Sequence, residues 1–143
     1  MKRMPVLLVV MIMVAGLFLS KGYGESNARV TVYYFHTTAR CMSCHNIEGF
    51  TRAAINEAFA DELSSGKLEF RMINTDKKEN RHYVSDYGLY TKSVVLALVK
   101  DGREQRFKNL EKVWPLLGDM AGFYQYIQEE TQGFLDQLEG EKK

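Results

Sequence analysis

The sequence of 143 residues predicts an α/β fold in which a central mixed sheet of about four strands is flanked by helices. Segments rich in β-branched and aromatic residues alternate with segments of helical periodicity, which is typical of parallel strands joined by crossover helices. A Lys-Asp-Gly turn separates the last two strand segments and predicts an antiparallel hairpin at the sheet edge. The predicted order is β-α-β-α-β-β-α.

The first strand and first helix flank a pair of cysteines. Residues 28–38 are almost continuously apolar, as in a strand that is buried on both faces. Residues 44–66 carry apolar side chains at helical spacing, and Gly66 is a natural helix end. The motif Cys-Met-Ser-Cys-His should therefore lie where a central strand passes into a helix.

A second strand and a short helix follow. Residues 67–76 read as a strand with alternating apolar positions, for which we predict burial: Leu68, Phe70 and Met72. Asp76 and Glu79 resemble a capping box for a helix that ends at Gly88.

The last part of the chain completes the sheet and covers it. Residues 93–99 predict a strongly apolar third strand, and residues 103–109 predict the returning edge strand. Residues 110–138 read as helical with a break around Pro115. One apolar stripe should face the core: Met120, Phe123, Ile127, Phe134 and Leu138.

The N-terminus resembles a targeting segment. Lys2 and Arg3 precede an uncharged apolar run over residues 5–19, which suits a signal peptide and is short for a bilayer span. Small residues at positions 22 and 24 permit a cut before residue 25. We expect residues 1–24 to be a signal peptide or, if uncleaved, an N-terminal membrane anchor. Residues 25–143 would then form one domain in the periplasm or cell envelope.

The charge balance excludes some partners. Residues 1–24 hold three of the 19 Lys and Arg residues and none of the 18 Asp and Glu residues, so the remainder has a net charge of −2. Positively and negatively charged residues are interspersed along this part of the sequence. This pattern predicts neither nucleic-acid binding nor attachment to a membrane by basic residues.

Cys41 and Cys44 are the only cysteines of the chain, and His45 follows them. A bridge between them closes too small a loop to staple a fold, so the pair indicates reactivity or ligation. The pattern C-x-x-C-H also occurs where a c-type haem is attached, with the histidine as iron ligand. The strongly apolar strand before the motif is not required for haem attachment, and it favours a redox-active disulfide.

The predicted helix start has a chemical consequence. Helix N-termini stabilise anions, and Arg40 beside Cys41 adds positive charge, so both favour the Cys41 thiolate. We predict that Cys41 is the nucleophile and that Cys44, one turn further into the helix, is the more buried resolving thiol.

The segments "VTVYYFHTTARCMSCHNIE" and "DYGLYTKSVVLALVKDG" resemble the thioredoxin superfamily. More closely, "YYFHTTARCMSCHNIE", "YTKSVV" and "NLEKVW" look like a family of small exported thioredoxin-like proteins labelled as a nitrophenyl-compound nitroreductase subunit of the arsenic-operon type. The superfamily resemblance implies a thioredoxin-like fold, thiol–disulfide exchange with a protein or small-molecule partner, and no cofactor. It also implies, as electron source, a membrane thiol carrier of the CcdA/DsbD type.

Two features depart from the superfamily pattern. Thioredoxins place a cis-proline opposite the cysteines, whereas this chain has Thr-Lys-Ser-Val, so Lys92 and Ser93 should face the motif through a trans bond. Thioredoxins also bury an acid behind the dithiol, and the first strand has none. His36 or His45 could instead accept the proton, or both could be structural.

A soft-metal site is the alternative use of the cysteines. Two sulfurs with His45 or His36 would suit Cu(I), Zn(II) or arsenite. The sequence does not distinguish this binding module from a thiol–disulfide exchanger.

Overall fold

The strand that leads into the cysteine motif lies inside the sheet. A computed structural model describes residues 27–140, within which four strands form one sheet in the order β2-β1-β3-β4. Strand β1 (Ala28–His36) runs parallel to β2 (Leu68–Asn74) and antiparallel to β3 (Ser93–Lys100), and β3 pairs antiparallel with β4 (Arg103–Asn109). The predicted mixed sheet with a hairpin at its edge is confirmed.

Helices connect and cover these strands. Helix α1 (Met42–Ala58) is followed at once by α2 (Ala60–Ser65), α3 (His82–Asp86) precedes β3, and α4 (Met120–Gly140) ends the described chain. Short 3₁₀ turns lie at Lys78–Asn80, Glu111–Val113 and Pro115–Gly118. The predicted order β-α-β-α-β-β-α and the mixed sheet flanked by helices are confirmed, with the first predicted helix divided in two at Phe59.

The main core lies between the sheet and helices α1 and α4. Alternate residues of β1 and β3 point to this face, where they meet the apolar stripes of the two helices. The fully buried members include Val32, Tyr34, Ile47, Leu96, Phe123 and Ile127. Burial of these side chains on one sheet face fixes where α1 begins relative to the end of β1.

The opposite face of the sheet carries a smaller cluster built largely from aromatic rings. The buried rings of Tyr33 and Phe35 pack against Tyr83 of α3 and against Tyr87 just beyond it. The Tyr87 hydroxyl donates a hydrogen bond to the Glu104 carboxylate on β4. A five-residue helix therefore suffices to cover this face near the cysteine end.

Three predicted details are wrong. Met72 lies in an edge strand and is 36% exposed, since only one side of β2 is paired. Met120 is 56% exposed because it is the first residue of α4, whereas the other predicted stripe residues are buried. Asp76 does not cap a helix, because the following turn has Lys77 at its N-cap and no side-chain cap.

The predicted signal peptide or membrane anchor, residues 1–24, lies outside the described residues. Within residues 27–140, no helix combines the length and the apolar character needed to cross a bilayer.

Candidate redox-active site

The two cysteines lie at the start of α1, as the sequence predicted. Cys41 is the N-cap residue of this helix, with extended backbone angles (φ −91°, ψ 171°), and Cys44 lies in its first turn. The two residues form a disulfide across a Cα–Cα distance of 5.1 Å. A helix N-terminus presents unpaired backbone N–H groups, so the site favours negative charge on Cys41 when the bond is reduced.

The two sulfurs differ in exposure. Cys41 is exposed, whereas Cys44 is fully buried. The Cys41 amide donates to Cys44 Sγ at 3.2 Å, and the Cys44 amide is directed at the Cys41 sulfur. An attacking molecule can therefore reach Cys41 from solvent, and Cys44 is held directly behind it.

The loop between β1 and Cys41 is tied to the end of β2. The Asp76 carboxylate accepts a hydrogen bond from the Thr38 amide at 2.8 Å, and Asn74 Nδ2 donates to the Thr38 hydroxyl at 3.1 Å. The hydrogen bonds from Thr38 lower the pKa of Asp76. Asp76 thus caps the loop before the cysteines rather than the helix that follows it.

Tyr34 supports the motif from below. Its hydroxyl donates to the Cys44 carbonyl at 2.7 Å in a buried position. Burial raises the pKa of Tyr34, which therefore stays protonated and able to donate. This contact joins the central strand directly to the first turn of α1.

Arg40 is paired with a carboxylate of α1. Its guanidinium forms an ion pair with Glu48 and lies 5.8 Å from the centre of the Tyr34 ring. Arg52 binds the same Glu48 carboxylate at 3.2 Å. Although burial alone would raise the pKa of Glu48, hydrogen bonds from both arginines lower it overall. Glu48 therefore stays ionised and offsets part of the charge that Arg40 was predicted to offer Cys41.

The histidines hold different positions. His36 is half-buried, with Nδ1 2.9 Å from the Thr37 carbonyl and its ring stacked near Tyr34. His45 is exposed on α1. Within residues 27–140, no three His, Cys, Asp or Glu side chains are grouped so that they could hold a metal ion. The soft-metal alternative stays a prediction.

The loop before β3 lies at the same end of the sheet as the motif. Ser93 is the register partner of Phe35, one residue before β1 ends. The Ser93 hydroxyl donates to the Thr91 carbonyl at 2.9 Å, and the Trp114 indole donates to the Lys92 carbonyl at 2.9 Å. As expected, the described residues contain no cis peptide bond. The roles assigned to Lys92 and Ser93 stay predictions.

Sequence reasoning missed Tyr34, Glu48 and Asp76 as neighbours of the motif. Tyr34 and Asp76 act across 10 and 38 residues of chain, so no local pattern signals their contacts. Glu48 was detectable in part, because it follows Cys44 by four residues and therefore lies on the same side of α1.

Two solved structures resemble this chain over part of its length. The chain is 22% identical to the thioredoxin of Fasciola hepatica, with a TM-score of 0.38 and coverage of 63% of this chain and 79% of that one. A malarial protein is 13% identical, with a TM-score of 0.37 and coverage of 57% and 80%. No family model matches the chain, and no curated protein matches it. The α/β fold class is shown by the mixed four-stranded sheet and its flanking helices.

Proposed function

We propose that the protein is a thiol–disulfide oxidoreductase that exchanges the Cys41–Cys44 pair with disulfides or dithiols of protein or small-molecule partners. The fold and the close cysteine pair support a redox function in general. The observation that carries the specific proposal is the asymmetry of the pair: an exposed sulfur at a helix N-terminus with a fully buried sulfur behind it.

The atoms and electrons of the exchange balance between the cysteine pair and the partner disulfide, without a further reactant. In the reducing direction, the Cys41 thiolate attacks one sulfur of a partner disulfide, which forms a mixed disulfide and expels the other partner sulfur as a thiolate. Cys44 then gives up its proton and attacks the Cys41 sulfur. This step regenerates the Cys41–Cys44 bond and releases the second partner thiolate, so the partner gains two electrons. The oxidising direction is the reverse.

The setting of this reaction belongs to the same proposal. The charge and apolar pattern of residues 1–24 supports export to the periplasm or cell envelope, with membrane attachment if that segment is retained. An exported reductant needs an electron source, for which a membrane thiol carrier of the CcdA/DsbD type is our proposed partner. The proposal does not include nitroreduction, because the label of the narrower family is not evidence of an activity.

A redox titration tests the exchange. The protein is equilibrated with mixtures of reduced and oxidised glutathione, quenched with acid and alkylated, and the disulfide fraction is read by mass. We expect one reversible two-electron transition that is lost in both Cys41→Ser and Cys44→Ser. A pair that stays oxidised or reduced across the whole series would refute the exchange.

Trapping distinguishes the two cysteines. Reduced Cys44→Ser should accumulate a mixed disulfide through Cys41 when it is mixed with a disulfide-bonded protein such as insulin, because no thiol remains to resolve it. Cys41→Ser should accumulate little, since its remaining thiol is buried. Equal trapping by the two variants would show that Cys41 is not the nucleophile.

A further inference from the structure

A cleft of about 350 Å³ opens beside the loop that leads to the cysteines, on the side of the sheet that carries α3. Phe35, Val84 and Leu89 supply apolar lining, and His36, Asp76 and Lys92 supply polar lining. Neither Cys41 nor Cys44 lines it. The volume lies within the range of small-molecule sites, which combine apolar walls with a few convergent polar groups.

The charged groups of the cleft are not equivalent. The half-buried Lys92 side chain makes no hydrogen bond or ion pair with any residue in the described part of the chain, although its backbone carbonyl is bound by Trp114. The Asp76 carboxylate, in contrast, already accepts the Thr38 amide. Lys92 is near enough to Asp76 to contribute to the lowered pKa of that carboxyl, although the two form no ion pair. The Lys92 ammonium is therefore the cationic group that the cleft offers to a charged ligand.

The remaining lining suits a flat apolar body. The Tyr90 ring borders the cleft and is 81% exposed, and Val84 is 41% exposed. A flat apolar ligand that contacts both the Tyr90 ring and the apolar side chains beside it removes apolar surface from water, which favours binding. Asp76 close by disfavours a multiply charged anion such as a phosphate dianion, because like charges repel.

We propose that this cleft binds a small organic carboxylate, with the carboxylate on the Lys92 ammonium and an apolar body against Leu89 and Tyr90. The site adjoins the cysteines, because Asp76 lines the cleft and binds Thr38, three residues before Cys41. Three residues of chain span at most about 11 Å. Binding of a carboxylate in this cleft does not require thiol–disulfide exchange at the cysteines.

The test uses 4-fluorobenzoate as the probe and 4-fluorobenzamide as its uncharged match, with binding followed by ¹⁹F NMR on the full chain. We expect saturable binding of the benzoate that is about tenfold tighter than that of the amide, as a charge-assisted contact requires. The double variant Cys41→Ser, Cys44→Ser should bind the benzoate unchanged. Equal affinity for the two probes would overturn the proposal.

Variants locate the contact. Lys92→Met keeps the apolar stem and should weaken benzoate binding about tenfold, and Lys92→Arg should restore it. Lys78→Met removes an exposed charge that does not line the cleft, so it should have no effect. Circular dichroism checks that each variant folds. Unchanged binding in Lys92→Met, or an equal loss in Lys78→Met, would show that the cleft is not the site.

Discussion

At the level of single residues, Glu48 determines where the charge of Arg40 lies. Arg40 directly precedes Cys41, the proposed nucleophile, yet its guanidinium is paired with the Glu48 carboxylate on the second turn of α1. Arg52 also binds this carboxylate, and its guanidinium lies 4.6 Å from the Phe70 ring centre. We therefore expect a Cys41 thiolate in the reduced protein to be stabilised more by the backbone amides of the helix start than by Arg40.

Glu48→Gln should lower the pKa of the Cys41 thiol in the reduced protein. The substitution removes a nearby negative charge and releases Arg40 toward the sulfur, and both effects favour the thiolate. We expect the decrease to be modest, because the groups are partly exposed and screened by solvent. The measurement is the rate of Cys41 alkylation by iodoacetamide as a function of pH.

A second acid on the same helix provides the control. Glu57→Gln removes the same charge near the far end of α1, where it is exposed, and should leave the profile unchanged. Adding Arg40→Gln to Glu48→Gln should return the pKa part of the way to its original value. If Glu48→Gln alkylates with the original profile, Arg40 and Glu48 do not tune this thiol.

Tyr34→Phe tests the contact between the central strand and the motif. Loss of the buried hydrogen bond to the Cys44 carbonyl should cost about 1 kcal/mol of unfolding free energy. Tyr124→Phe is the control, because it removes a hydroxyl from a half-buried ring that packs against the same core but does not contact the cysteine motif. The measurement is urea denaturation of the oxidised proteins. Similar losses in both variants would argue against a specific role for the Tyr34 hydroxyl.

At the level of elements, two glycines should respond to alanine in opposite directions. Gly102 follows Asp101 in the hairpin turn, and both have positive φ, 75° and 51°. Gly102→Ala should destabilise the protein by about 1 kcal/mol, because a Cβ is strained in this region. Gly49 lies inside α1 with open space at its Cβ position, so Gly49→Ala should stabilise by about 0.5–1 kcal/mol.

Thermal or urea unfolding measures both changes in parallel. The two variants add the same methyl group, so the difference in sign isolates backbone conformation from side-chain burial. A destabilising Gly49→Ala would indicate that an added Cβ meets an unfavourable contact on this face of α1. A neutral Gly102→Ala would indicate that the turn adjusts.

Elements defined by local chemistry were predictable from the sequence. Strand β4 has the predicted bounds because Asp101 and Gly102 fix the turn and Asn109 precedes the buried Leu110. Tertiary position was less predictable. Met72 alternates correctly for a buried face, but β2 turned out to be an edge strand, which no local pattern reveals.

In the candidate site, too, the features set by local sequence were predictable and those set by tertiary contacts were not. The placement of Cys41 and Cys44 was predictable, because a strand, a C-x-x-C pair and a helical period are local signals. The pairing of Arg40 with Glu48 was not predictable. Arg40 has Cys41 one residue away and Glu48 eight residues away, and only the folded helix decides which of them receives its charge.

At the level of the whole molecule, the two hydrophobic clusters include neither cysteine. The main cluster joins β1 and β3 to α1 and α4, and a second cluster lies on the opposite sheet face. Cys44 contributes a buried side chain, but its covalent bond spans a sequence separation of three. The fold should therefore persist in both redox states, as an exchanger requires.

Reduction should accordingly change stability only modestly. Closing so short a loop accounts for about 2 kcal/mol in the chain-entropy model, against a total of about 5–15 kcal/mol for a typical domain. We expect the urea midpoint to fall by about 1 M or less when the protein is reduced, with an unchanged circular dichroism spectrum before the transition. The variant Cys41→Ser, Cys44→Ser should show no response to reductant. Unfolding on reduction would mean that the bond holds the structure together, and a bond of that kind could not act as a reversible carrier of electrons.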